Sequence, residues 1–230
     1  MNELMRNSAT IGVVISLLAY QFGVFLKNKT KKAFFNPLLI SIILVIAFLL
    51  VFDIEYENYN HSAKYLSYLL TPATVSLAIP LYQKLELLKK NYAAILIGIL
   101  AGALTSLISI LAMCMLFHMS YEGYVTLLPK SITTAIGIGV SEELGGYVSI
   151  TASSIIITGI LGNIVGEAIC KLFRIKHAIS RGLALGTSSH AIGTTKALEM
   201  GQVEGAMSSL AIVIAGLMTV LLASIFANIY

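Results

Sequence analysis

The chain has 230 residues, of which 57% are apolar and only 11% charged, with 15 Lys and Arg against 11 Asp and Glu. A typical soluble domain carries about 25% charged residues, and a mean hydropathy of +0.89 means more apolar surface than a water-soluble protein of this size can bury. A soluble catalytic domain is excluded; the net charge of +4 comes from Lys and Arg at the ends of apolar runs, which reads as membrane orientation and not as nucleic-acid binding.

Six stretches contain no Asp, Glu, Lys or Arg: 7–26, 33–52, 65–83, 91–121, 144–166 and 205–230. Each can cross a hydrocarbon core of about 30 Å as a helix rising ~1.5 Å per residue. A barrel needs period-two alternation, which Ile40–Phe52 lacks. The expectation is an all-α integral membrane protein with about six transmembrane helices in one polytopic domain, 1–230. Met1–Asn7 before the first run imitates a signal peptide, but the further spans point to an uncleaved first helix.

Two remaining stretches, roughly 122–143 and from Arg181 to Glu204, are too interrupted for ordinary spans. They are also too rich in Gly, Ala, Ser and Thr for ordinary loops. Such segments resemble the re-entrant or broken helices of carriers. Loop charge decides between dipping and crossing. Lys27–Lys32 carries four lysines, Lys84–Lys90 three, and the connection Lys171–Arg181 is also basic, whereas Asp53, Glu55 and Glu57 lie between the first two. All basic connections fall on one side if 122–143 dips in and returns. Eight full spans with one mis-signed loop is the alternative.

Three pieces share a pattern: Thr74–Pro80, Ser131–Gly137 and Thr187–Gly193 each read hydroxyl, any, hydroxyl, any, Ala-Ile, helix breaker. Their near-equal spacing suggests a structural repeat, against chance in a chain rich in Ala, Ile and Ser. The second and third copies would enter from opposite faces, each followed by a long span. Residues 122–230 then form two inverted broken-helix-plus-span units, and 1–118 four spans serving as a scaffold.

Binding chemistry concentrates at these copies. Lys130, Ser131, Thr133, Thr134 and Gly137 belong to or flank the second, and Thr187, Ser188, Ser189, His190, Gly193 and Lys196 the third. Asn163 in the intervening span adds an amide. A lysine within a membrane segment is a functional candidate or a snorkelling anchor. Broken-helix N-termini with hydroxyls and a lysine suit a small organic anion. His190 fits either substrate contact or a bond to a freed carbonyl. If the two breaks meet, these residues share one polar cavity. Cys114 and Cys170 have neither disulfide-framework nor zinc spacing; no catalytic motif, cofactor or metal is expected.

At these segments the chain resembles the LrgB/CidB family, labelled antiholin-like. The resemblance is carried by Pro72–Tyr82, Leu128–Thr134, Arg174–Gly186, Ser189–Gly193 and Ala197–Met207, within about residues 65–215. It implies a bacterial plasma-membrane, multi-pass protein acting with a smaller LrgA/CidA-type membrane partner, with a homo-oligomer left open. A chloroplast-envelope relative carries glycolate and glycerate, and bacterial relatives have been assigned pyruvate uptake. The resemblance therefore implies a carrier of small monocarboxylates such as pyruvate, glycolate or lactate. The other implied reading is a holin- or antiholin-like pore or regulator of murein hydrolase export and lysis.

Overall fold

The computed structural model describes residues 5–6, 8–30 and 35–230. Most of Met1–Asn7, together with Lys31 and Lys32 of the first basic connection, lies outside the described residues. The chain divides into two compact units, 1–76 and 77–230. The described residues are helices joined by short turns, the all-α membrane architecture that the hydropathy predicts.

In the first unit, α1 (Ile11–Thr30) and α2 (Pro37–Val51) are antiparallel neighbours. Asn36 sets the start of α2: its side chain accepts from Leu38 N and Leu39 N, and Pro37 occupies the first turn, where its missing N–H is harmless. At 15 residues α2 is shorter than the charge-free stretch 33–52, because this cap and a positive φ at Asp53 bound it. The short helix α3 (Tyr56–Ala63) closes on α1 through Ser62 Oγ, which accepts from Gly12 N at 2.8 Å, and through Tyr59 OH, 2.7 Å from Ser16 Oγ.

The stretch 65–83 is helical in pieces: a 3-10 turn (Lys64–Leu69), α4 (Leu70–Ser76) and, across the unit boundary, α5 (Ala78–Gln83). Pro72 and Pro80 each sit in the first turn of a piece, the only place in a helix that tolerates proline without disruption. The first repeat copy thus straddles the junction of α4 and α5.

The second unit continues through the short α6 (Leu85–Lys90) and contains three long unbroken helices: α7 (Tyr92–Leu116), α10 (Val148–Leu172) and α12 (Gln202–Ala227). With α1 they are the helices long and apolar enough to cross a membrane. Between α7 and α10 the chain makes α8 (Tyr121–Leu127), an irregular turn at 128–133, and α9 (Thr134–Glu143). Thr126, at the end of α8, accepts from Tyr147 N on Oγ1 (2.8 Å) and from Thr151 Oγ1 on its carbonyl (2.9 Å). Both partners lie where the chain re-emerges. The turn goes deeper: Pro129 O and Ile155 Cδ1 crowd Gly137. This segment dips in and returns to the face it left.

The second dip is α11 (Ala178–Met200), whose helix is broken at Ser189 (φ −139°, ψ 17°) and His190 (φ 41°, ψ −138°). Its register against α12 shows the reversal. Gly182 packs on Glu204 and Met207, Gly186 on Ser208 and Ala211; past the break, Thr194 bonds Ser208 and Leu198 packs on Gly205. The first arm climbs α12 and the second descends it.

Two end faces result. Leu88, Ile179 and Val203 pack around one cluster, so Lys84, Lys89 and Lys90 share a face with Lys171, Arg174, Lys176 and Arg181. At the other face Tyr124 stacks on Tyr230 and donates to Phe226 O at 3.1 Å. Glu122, Glu142 and Glu143 lie at that face.

Candidate functional site

Both hairpins reach α10 at one residue. The side chain of Ile155 packs against Gly137 of the first hairpin, and its carbonyl oxygen lies 3.0 Å from His190 Nε2 of the second. A carbonyl only accepts, so the imidazole carries its proton on Nε2. Gly159 and Gly162 on the next turns of α10 admit the second tip. A Cβ at Gly159 would meet the His190 ring at 2.7 Å, and one at Gly162 would overlap Ser189 Oγ. Glycine is required there by close approach and not by backbone conformation.

Beside this meeting point is a cavity of about 680 Å³, lined by the first hairpin's turn, the first arm of α11 and one face of α7. Lys130 and Ser131 come from the turn, and Thr187, Ser188 and Ser189 from the arm. Ser131 Oγ is 2.9 Å from Ser106 Oγ on α7 and 3.3 Å from Lys130 Nζ. The lining runs from Ala94, Ile169 and Ser180 near the basic-face ends of their helices to Ser106 and Gly162 at mid-helix, so the cavity reaches mid-depth from that face. Lys130 is the single charged residue of the lining and makes no salt bridge among the described residues.

The other sequence-selected residues lie around the cavity, not along it. Thr133 is the N-cap of α9 and Thr134 its first residue, while Gly137 is packed under Ile155. His190 and Gly193 are buried in the hairpin's own reversal. Asn163 Nδ2 donates to Ile192 O (2.9 Å) and Thr195 Oγ1 (2.8 Å), fastening the second arm of α11 to α10. Lys196 Nζ lies 2.7 Å from Glu167 Oε2 and 3.4 Å from Glu199 Oε2, so carboxylates neutralise it.

Sequence reasoning passed over the α7 wall. Gly98, Gly102, Thr105, Ser106 and Ser109 all line the cavity; Gly98, Gly102, Thr105 and Ser109 recur at three- to four-residue steps, which places them on one helix face with Ser106 beside it. Within 91–121 the overall hydropathy masks that stripe.

Two opposed hairpins meeting beside a cavity with hydroxyls and one lysine in its wall, carried on long apolar helices, define an all-α membrane protein with inverted broken-helix units. The chain belongs to the LrgB-like family, which it matches over residues 16–229. It is 39% identical over 223 residues to the Antiholin-like protein LrgB of Bacillus subtilis, covering 96% of both chains. It is 38% identical over 216 residues, 94% of each chain, to proteins of the same name from Bacillus cereus and Bacillus anthracis. No solved structure matches the chain.

Proposed function

We propose that the protein is a multi-pass carrier of small monocarboxylates, of the pyruvate, glycolate and lactate class, in the bacterial plasma membrane. One observation carries this reading: the cavity between the hairpins and α7 has a single charged wall residue, Lys130, without a carboxylate partner among the described residues. A lysine so placed in a membrane segment favours an anion as its counter-charge. The surrounding hydroxyls of Ser131, Ser188 and Ser189 suit carboxylate oxygens. Re-entrant hairpins from opposite faces, packed on a common helix, are also how carriers place irregular backbone near the midplane. By the sign of the loops the basic face is cytoplasmic, and a small LrgA/CidA-type membrane protein is the proposed partner.

Proteoliposomes containing the full chain, with and without such a partner, should take up labelled pyruvate, glycolate or lactate saturably. The antiholin-like names of the relatives favour a second reading, a pore or pore regulator. Dye leakage without saturable acid uptake would select it.

A further inference from the structure

Thr187 stands in the first arm of α11, two residues before the break, and lines the cavity. It is 6% exposed, and its Oγ1 is buried without a hydrogen-bond partner, alone in this among side-chain oxygens and nitrogens of the described residues. A helical threonine commonly donates to the carbonyl four residues back. Thr74, Thr105, Thr126 and Thr194 all do so. Thr187 does not. Its methyl lies over Gly102 of α7, where a Cβ would come within 2.7 Å of Cγ2, and that seat leaves the hydroxyl without the local acceptor.

Several neighbouring hydroxyls on the wall are engaged. Ser188 and Ser189 bond each other at 3.0 Å, Ser131 bonds Ser106, and Thr105 and Ser109 donate to carbonyls of their own helix. Thr187 differs in having no hydrogen-bond partner at all, so its proton is free to give. A buried donor left unmatched is unfavourable, and a site built to bond a substrate oxygen strongly rejects the analogue that lacks it.

We infer that Thr187 determines specificity: with the carboxylate of a bound anion on Lys130, Thr187 donates to an oxygen on the adjacent carbon. Rotation about the Cα–Cβ bond presents the hydroxyl to the ligand. The cavity then prefers 2-hydroxy and 2-oxo monocarboxylates over unsubstituted acids of equal length. This inference rests on the carrier reading.

The test is uptake by the full chain in proteoliposomes, comparing lactate and pyruvate with propionate. Thr187→Val keeps a methyl for Gly102 and deletes the hydroxyl; it should raise KM for lactate and pyruvate roughly 10-fold and leave propionate unchanged. Thr187→Ser should keep the preference. Thr187→Ala also removes the hydroxyl and must lose the preference as Val does. A lactate-to-propionate ratio held at its wild-type value in the Val and Ala variants overturns the inference while leaving the carrier reading standing. Absence of saturable uptake by the wild type overturns both.

Discussion

Gly193 packs against the carbonyl oxygen of Leu185, so closely that a Cβ on the glycine would lie 2.8 Å from that oxygen. In an unbroken helix, eight residues separate two positions by about 12 Å. The contact exists because α11 doubles back between them. Ser189 closes the same gap, its Cβ 2.5 Å from where a Gly193 Cβ would stand.

Gly193→Ala should therefore destabilise the protein by about 1–3 kcal/mol through overpacking, read as a lower Tm in detergent. Gly139 provides the contrast, since nothing lies within 4 Å of a Cβ there. Gly139→Ala should be neutral or slightly stabilising, alanine being the better helix former. Equal Tm values for the two variants would mean that the arms do not meet.

His190 allows a sharper test of the break. Its φ of 41° and ψ of −138° lie near the first central position of a type II′ turn, which favours glycine. The bond to Ile155 O and the Thr194 Oγ1 bond to His190 O help hold this conformation. His190→Ala and His190→Gly both delete the ring, and differ only in backbone freedom. In an ordinary helix glycine is the worse by about 1 kcal/mol. Here the order should invert, with the Gly variant more stable by about 1 kcal/mol or more. A higher Tm for the Ala variant would show that position 190 carries no backbone strain.

Hydropathy and loop charge made the long helices and both re-entrant segments legible, because lipid requires apolar length and charge reports sidedness. That the third copy carries a break was legible, but its position was not: the pattern puts the breaker at Gly193, whereas the backbone departs from the helix at Ser189 and His190, and Gly137 lies within α9. Three further features were not. Glu199, three residues on, marks Lys196 locally, but its closer partner Glu167, 29 residues away in sequence, packs beside it only in the fold. The α7 wall was hidden by its own hydropathy. The orphan hydroxyl of Thr187 depends on Gly102, a contact made only in the folded bundle.

That separation of the lysines is testable in uptake. Lys130→Ala removes the cavity's charged wall residue and should cost roughly 1.5–3 kcal/mol, a 10- to 150-fold loss of affinity for the acid. Lys196→Ala removes a partly exposed ion pair and leaves Glu167 with Lys171 at 2.8 Å; it should lower stability by no more than about 1 kcal/mol, with a smaller effect on KM. Lys29→Ala, in the exposed end of α1, is the neutral reference. Equal KM values for all three would reduce Lys130 to an interfacial anchor.

The two dips can be separated from full crossings by their flanks. A crossing helix has its ends on opposite sides of the membrane, whereas a re-entrant hairpin has both on one side. Glu122 and Glu143 flank the first hairpin, and Lys176 and Gln202 the second; all four are exposed. The native thiols Cys114 and Cys170 are 2% and 3% exposed, so background labelling should be low. In intact cells a membrane-impermeant maleimide should modify Glu122→Cys and Glu143→Cys alike. Lys176→Cys and Gln202→Cys should react only after the membrane is opened, since the basic face is expected to be cytoplasmic. Opposite labelling of the two flanks of either hairpin would convert that segment into a span. Gly137 and His190 could then no longer converge on Ile155 from opposite faces, and the cavity beside them would lose its physical basis.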